Sequence, residues 1–236
     1  ITIKDNVLNL TKVDESIIRL TSSENNTISN NTIELSGFRG IELTTESKGN
    51  LVKLNTIKNS TADAISILNS DDNIFHNSTL INSQWSGIYV LNSSGNVFVN
   101  PNLSNNDLAG GYGDIAMEGN ESLNTTLINA SFNQSNVLFK DSESGLFNLN
   151  WYLDVYVNDS EGAIKATVSS NDITGASVFS LITGADGNLV RQNITEYSEN
   201  CSSCSNWNSG TKSYFTNYTI NTTKSGYTNN SQELNI

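Results

Sequence analysis

Five octets at a near-constant interval constrain this chain more than its composition does. They are Asn26-Thr-Ile-Ser-Asn-Asn-Thr-Ile33, Asn50-Leu-Val-Lys-Leu-Asn-Thr-Ile57, Asn73-Ile-Phe-His-Asn-Ser-Thr-Leu80, Asn96-Val-Phe-Val-Asn-Pro-Asn-Leu103 and Asn120-Glu-Ser-Leu-Asn-Thr-Thr-Leu127. Their leading asparagines lie 24, 23, 23 and 24 residues apart, and Ile1-Thr-Ile-Lys-Asp-Asn-Val-Leu8 fits 25 residues before the first. A second column runs beside them, at Ile41-Glu-Leu43, Ile65-Ser-Ile67, Ile88-Tyr-Val90 and Ile115-Ala-Met117. A fixed period of this length is the mark of stacked structural repeats.

Each apolar run is too short for a helix and alternates with period two, so each reads as a strand. None has a hairpin partner across a two-residue turn; its nearest equivalent lies one period along and points the same way. Parallel strands without intervening helices must coil. The expected object is a solenoid of about six rungs, stacked at roughly 4.8 Å. In that stack Ile33, Ile57, Leu80, Leu103 and Leu127 form one interior ladder, and Ile41, Ile65, Ile88 and Ile115 another. Asparagines at the turns are expected to stack, each amide bonding to the ones above and below.

The octets N-x-[I/V/F]-x-x-N-T-[I/L], followed by Ser83-Gln-Trp-Ser-Gly-Ile-Tyr-Val90 and its equivalents, resemble right-handed parallel β-helix repeats of the NosD-like and pectate-lyase-like superfamily. The resemblance covers roughly residues 1–138. It implies a fold and leaves function open, since that superfamily holds lyases, hydrolases, epimerases, adhesins and structural surface proteins.

The beat stops after Asn136, and residues 139–150 read as a connector. From 151 to 236 the pattern becomes alternating strands, at 151–157, 163–168, 176–182, 214–220 and 232–236, separated by turn signals. A small antiparallel β-sandwich is expected. Asp154-Val-Tyr-Val-Asn-Asp-Ser-Glu-Gly162, Gly184-Ala-Asp-Gly-Asn188 and Tyr218-Thr-Ile-Asn-Thr-Thr-Lys-Ser-Gly-Tyr227 are similar to carboxypeptidase-regulatory-like or Ig-like modules of prokaryotic surface proteins. That resemblance implies a spacing or packing role. The fold class is therefore all-β throughout.

Composition excludes several functions. Twelve Lys and Arg stand against 24 Asp and Glu, for a net charge of −12. With no basic cluster, nucleic acid is not an expected partner. No apolar run approaches the length of a membrane span. One His and two Cys cannot build a zinc site without carboxylates. The chain opens on Ile1-Thr-Ile-Lys4, without Met or an apolar leader, so a secretory signal is either already removed or lies upstream.

Asparagine supplies 38 of the 236 residues, and 17 of them begin an Asn-x-Ser/Thr sequon: Asn9, Asn25, Asn30, Asn59, Asn77, Asn92, Asn102, Asn120, Asn124, Asn129, Asn133, Asn158, Asn193, Asn200, Asn217, Asn221 and Asn229. This excess over chance runs through both halves and predicts an exported protein carrying N-linked glycans. Some of these asparagines are expected to face inward or to stack, and to stay bare. Cys201-Ser-Ser-Cys204 lies in a polar stretch, without the βαβ setting of a redox pair or the further ligands of a metal site, and reads as a local disulfide.

Catalysis on a β-helix needs clustered carboxylates and a base. The acidic candidates are Asp63, Asp71, Asp72, Asp107 and Asp114; the bases are Arg39, Lys48, Lys53 and Lys58. Asp63 and Asp114 stand two rungs apart, loose for a shared site, and turn chemistry explains Asp71-Asp72. His76 reads as solvent-facing. Trp85 with Tyr89 could form an aromatic platform for sugar, or simply pack. No cofactor is expected; surface carboxylates leave calcium open.

These readings converge on a structural, non-enzymatic glycoprotein of the cell surface, archaeal in character, serving as a subunit of an extracellular filament, sheath or surface layer. It would join head-to-tail with copies of itself through the open strand edge at Ile1, Thr2 and Ile3. A carbohydrate-binding adhesin acting on surface polysaccharide is the alternative, and a polysaccharide lyase or hydrolase the next.

Overall fold

The computed structural model describes residues 1–9, 13–119, 124–140, 145–202, 204 and 206–236, and among these all regular structure is β-strand. The chain forms two compact units: Ile1–Asn148 with Glu199–Lys212, and Leu149–Ser198 with Ser213–Ile236.

The first unit is the solenoid, with three parallel faces. Thr2–Lys4, Thr27–Ser29, Leu51–Lys53, Ile74–His76, Ser94–Val99 and Asn124–Ile128 stack as the first face. Val7–Asn9, Thr32–Glu34, Thr56–Lys58, Thr79–Ile81 and Asn102–Ser104 form the second. Ile18–Thr21, Ile41–Thr44, Ile65–Leu68, Ile88–Leu91, Ile115–Glu118 and Val137–Lys140 form the third. Pairing is parallel and in register from rung to rung, so each column of the sequence becomes a column in space.

The inward positions make the core. Ile28, Val52, Phe75, Phe98 and Leu127 line the first face, Ile33, Ile57, Leu80 and Leu103 the second, and Ile41, Ile65, Ile88 and Ile115 the third, all of them buried. Phe75 and Phe98 stack with centroids 4.2 Å apart, a face-to-face arrangement imposed by strand spacing. Gly40 enters its third-face strand where a Cβ would collide with the Ile57 side chain and the Ala64 carbonyl.

One expected ladder is corrected. Leu127 pairs with Phe98 on the first face and does not extend the Leu103 column. The octet 120–127 resembles its predecessors, but the coil before it is longer: on the third face Ile88 pairs with Ile115, 27 residues on, instead of 23 or 24. The extra residues form the glycine-rich excursion around Gly110, Gly111 and Gly113, all at positive φ.

The asparagine ladders are present. Asn26, Asn50, Asn73 and Asn96 stack through the corner leading into the first face, and the side-chain oxygen of each of the last three receives the backbone N–H and Nδ2 of the rung before at 2.9–3.2 Å. Asn6, Asn31 and Asn55 repeat the device at the corner leading into the second face. The same Nδ2 groups also reach back to main-chain carbonyls, as Asn73 does to Ser47. Each buried amide thus satisfies turn groups that no strand can reach.

Two expected boundaries move. The expected connector, 139–150, overlaps strand at both its ends: Val137–Lys140 completes the third face and Gly145–Leu153 continues the first, carrying the chain into the second unit at Leu149. Residues Glu199–Lys212 belong to the first unit, not to the C-terminal one. Asn208 pairs antiparallel with Phe139 through two backbone hydrogen bonds of 2.8 and 3.0 Å, so the chain itself covers the outer edge of the last third-face strand.

In the second unit, Ser177–Ile182, Thr167–Asn171, Tyr218–Thr223 and Asn230–Leu234 form an antiparallel sheet in that order. Its core includes Ala166, Val168, Ile194, Tyr197 and Tyr218. Tyr218 donates its hydroxyl to the Thr195 carbonyl, and burial pushes that phenol up to about 12. The strand Gln192–Cys201, ten residues long, was not among the expected ones.

Candidate functional site

Outward positions on the third face are unlike the rest of the coil. In stack order one row reads Arg19, Glu42, Ser66, Tyr89, Ala116 and Leu138, and Glu42, Ser66 and Ala116 are buried although they point away from the core. A hollow of about 180 Å³ lies over this face, lined by Arg39, Asp63, Trp85, Tyr89, Tyr112, Glu118, Lys140 and Trp207.

Three carboxylates are held here, each by named donors. Glu42 accepts from Ser16 at 2.7 Å, from Arg19 at 2.6 Å and from Arg39 at 3.0 Å. Asp63 accepts from Ser66 at 2.9 Å, from the Ser86 backbone N–H at 3.1 Å and from Arg39 at 3.4 Å. Glu118 accepts from the Tyr89 hydroxyl and from the Lys140 ammonium, both at 2.7 Å. Strand register sets two of these pairs: Arg19 stands against Glu42, and Glu118 against Lys140, one rung apart.

The electrostatics differ among them. Burial pushes Glu42 up, but the hydrogen bonds from Ser16 and Arg19 and the two guanidinium charges outweigh it and hold its carboxyl below the ordinary value. For Asp63 burial wins over Arg39, and the carboxyl is raised. Tyr89 is raised by burial and by its bond to Glu118, so it acts as a donor.

Aromatic rings wall the hollow. Trp85 and Tyr112 stack with centroids 5.2 Å apart, and Trp207 meets Tyr112 edge-on at 5.8 Å and Tyr89 at 6.4 Å. Phe38 lies against Trp85, under the Arg39 guanidinium. Tyr112 is set by the glycine-rich excursion, where Asp107 accepts its backbone N–H at 2.9 Å. Trp207 arrives on the Glu199–Lys212 segment, which also carries the Cys201–Cys204 disulfide.

The other candidates fall elsewhere. Asp114 lies outside the hollow and accepts from the Asn133 backbone; burial raises it. Asp71 accepts from the Ser94 N–H and pairs with Lys48 at the surface, and Asp72 is a positive-φ corner residue. Lys58 pairs with Glu34. His76 shares the outward column of Lys53 on the first face. Among the described residues no three His, Cys, Asp or Glu are grouped to hold a metal ion. Among the same described residues no helix is long and apolar enough to cross a membrane.

Trp85, Tyr89, Asp63 and Arg39 were visible in the sequence; Glu42, Glu118, Lys140, Tyr112 and Trp207 were missed. The signal for Glu42 was an acid in an otherwise apolar third-face triplet, Ile41-Glu-Leu43. For Trp207 no local signal exists.

The sequons separate cleanly by burial. Asn120 lies outside the described residues; of the other sixteen, fourteen are exposed and Asn92 and Asn221 half-buried. Among the described residues none of the sequon asparagines is buried, and Asn30, Asn59, Asn77 and Asn129 stack by side-chain hydrogen bonds on the residue one rung away. The buried asparagines, Asn26, Asn31, Asn50, Asn55, Asn73, Asn96 and Asn106, begin no sequon.

Residues 1–132 match the family described as right handed beta helix region. The chain belongs to the right-handed β-helix family. A double mutant of the periplasmic alginate epimerase AlgG resembles this β-helix protein with a TM-score of 0.51 at 19% identity, over 61% of this chain and 37% of the epimerase. A single mutant of the same epimerase gives 0.48 at 19% identity, over 61% and 38%. Full-length tailspike protein 2 from the Escherichia coli O157:H7 bacteriophage CAB120 gives 0.35 at 10% identity, over 99% and 50%. The β-helix protein thus spans little more than a third of the epimerase's length, and the likeness is one of fold. No curated protein sequence matches it.

Proposed function

We propose that this chain belongs to an exported surface glycoprotein whose β-helix binds a saccharide in the third-face hollow. The observation that carries the reading is the ring of Trp85, Tyr89, Tyr112 and Trp207 around closed cation–carboxylate pairs. A pyranose presents an apolar C–H face and a rim of hydroxyls. Aromatic faces pack the first, and fixed donors and acceptors meet the second. The lining charges cancel, Arg39 and Lys140 against Asp63 and Glu118, which favours a neutral sugar over a polyanion. At about 180 Å³ the hollow suits one ring of a longer glycan.

The same pairing supports binding over turnover. General acid–base chemistry needs a carboxylate free to exchange a proton with substrate, and here Asp63 and Glu118 are each engaged by a cation and a hydroxyl. The test is calorimetry or glycan-array binding with neutral saccharides, followed by incubation of any bound glycan and product analysis. Binding lost in Trp207→Ala and Tyr112→Ala supports the reading. A new product would replace it with a glycan-modifying enzyme, and no binding at all would remove it.

A second reading, head-to-tail assembly, is favoured by the first rung. Within these residues Thr2–Lys4 and Val7–Asn9 pair on one side only, with Ile1 and Val7 88% and 80% exposed. A strand from a neighbouring copy, or from preceding chain, would complete that edge. Sedimentation of the chain tests it: concentration-dependent polymers abolished by Val7→Lys support assembly, and monomer at all concentrations opposes it.

A further inference from the structure

We propose that N-linked glycans occupy alternate rungs of the corner between the first and second faces, at Asn30, Asn77 and Asn129, and leave the third face bare. The inference rests on the exported-glycoprotein reading and adds to it where the sugar sits.

The corner is a single structural position repeated six times. Asp5, Asn30, Leu54, Asn77, Asn100 and Asn129 each leave a first-face strand with φ between 49° and 59°. The backbone N–H of each of the first five donates to the first-face strand of the next rung. Left-handed backbone favours Asn and Asp here, so asparagine alone would say nothing about sugar.

The sequons say more, because they alternate. Asn30-Asn-Thr32, Asn77-Ser-Thr79 and Asn129-Ala-Ser131 are acceptor sites; the rung before them holds Asp5, and the two between hold Leu54, and Asn100 followed by Pro101 and Asn102. Two rungs separate successive sites by about 10 Å, room for one glycan each, whereas neighbouring rungs at roughly 4.8 Å leave none. The three asparagines are exposed, and Thr32, Thr79 and Ser131, whose hydroxyls a sequon requires, are half-buried or exposed. This corner does not border the third face, whose six strands contain no asparagine.

The modification is compatible with the ladder. Nδ2 attacks C1 of a sugar carried on a polyprenyl phosphate. The C1–N bond forms as the C1–O bond to phosphate breaks, the carrier leaves with the electron pair, and the amide gives up one proton. The remaining amide proton lets Asn30 and Asn129 keep their 2.8 Å bonds to Asp5 and Asn100. Asn77 accepts through Oδ1 from Asn100, also at 2.8 Å, an oxygen that the reaction leaves in place.

The experiment is glycopeptide mass spectrometry on the full chain, secreted from a host that N-glycosylates exported proteins, alongside Leu54→Asn. That substitution suits the exposed left-handed corner and creates the sequon Asn-Asn55-Thr56 on an intervening rung. Expected are filled Asn30, Asn77 and Asn129, and, in the variant, occupancy at position 54 severalfold below that of its neighbours in the secreted, folded protein. Sugar on three successive rungs together would overturn the alternation. Bare Asn30, Asn77 and Asn129 beside other filled sequons would overturn the corner. An unglycosylated protein that still binds saccharide would end this inference and leave the hollow's function standing.

Discussion

Glu42 shows how one side chain reports on the whole third face. It is almost fully buried and holds two arginines, so Glu42→Gln removes the carboxylate that Arg19 and Arg39 share and leaves Arg39 to Asp63. We expect a loss of about 3 kcal/mol, the scale of a broken buried pair, read by urea denaturation. Its carboxyl titrates below the ordinary range when folded. Its contribution is therefore fully present above the unfolded carboxylate value, about 4.3, and is lost as pH falls through the folded value. The difference in Tm between the native chain and Glu42→Gln should accordingly shrink with acidification; a constant difference would show that the carboxylate charge is not what matters. Asp63, raised by burial, runs the opposite way: its penalty is present at neutral pH and relieved as pH falls. Trp207→Ala, by contrast, removes a half-exposed ring, and should reduce saccharide affinity at least about tenfold, some 1.4 kcal/mol, while moving Tm little. Of these residues the sequence disclosed those inside the repeat motif, such as Trp85 and Tyr89. The partners that give them meaning stand one rung away or come from a later segment, and cross-rung contacts leave no short-range pattern.

Among elements, the corner ladders were the most legible, because the same amide must recur at the same place for each to bond to the next. Asn73 shows what the stack is worth. Its Oδ1 receives two donors from Asn50, and its Nδ2 serves Ser47 and Asp71. Asn73→Ala should destabilise by about 3 kcal/mol, as several buried polar groups lose partners at once, whereas Asn82→Ala, at a more open corner, should cost well under 1 kcal/mol; equal effects would refute the role of burial. The misplaced Leu127 marks the limit of such reading. When a coil lengthens, another Asn-Thr-Thr-Leu can fall on the expected beat while the strand it occupies belongs to a different face. Gln192–Cys201 was hidden for a related reason: its buried Ile194 and Tyr197 are three apart, which breaks period-two alternation.

Over the whole molecule, the all-β class and the change of pattern near residue 150 were readable from periodicity alone. The return of Glu199–Lys212 to the solenoid unit was not, since it depends on pairing between Phe139 and Asn208. The disulfide belongs to that return. Its ring spans a sequence separation of three, so its entropic effect on unfolding is only about 2 kcal/mol. Replacing both cysteines with serine should leave the solenoid folded, yet raise hydrogen exchange in residues 199–212 and weaken saccharide binding through Trp207. Unchanged exchange would show that Asn208 and Lys212 anchor the segment unaided. The net charge of −12 acts on everything at once. Screening should relieve self-repulsion, so Tm at pH 7 should climb as sodium chloride is raised; a fall would mean that the surface ion pairs dominate.

Because successive coils meet through matching corner amides, in-register strands and the apolar columns they enclose, residues 50–72 end where an identical successor could begin. Duplicating that stretch should yield a taller protein, and it would also set a second Asp63 between Arg39 and Trp85, so the added turn redraws the hollow. In this architecture length can be altered in whole turns, and wherever the site crosses the added turn its shape is altered with it.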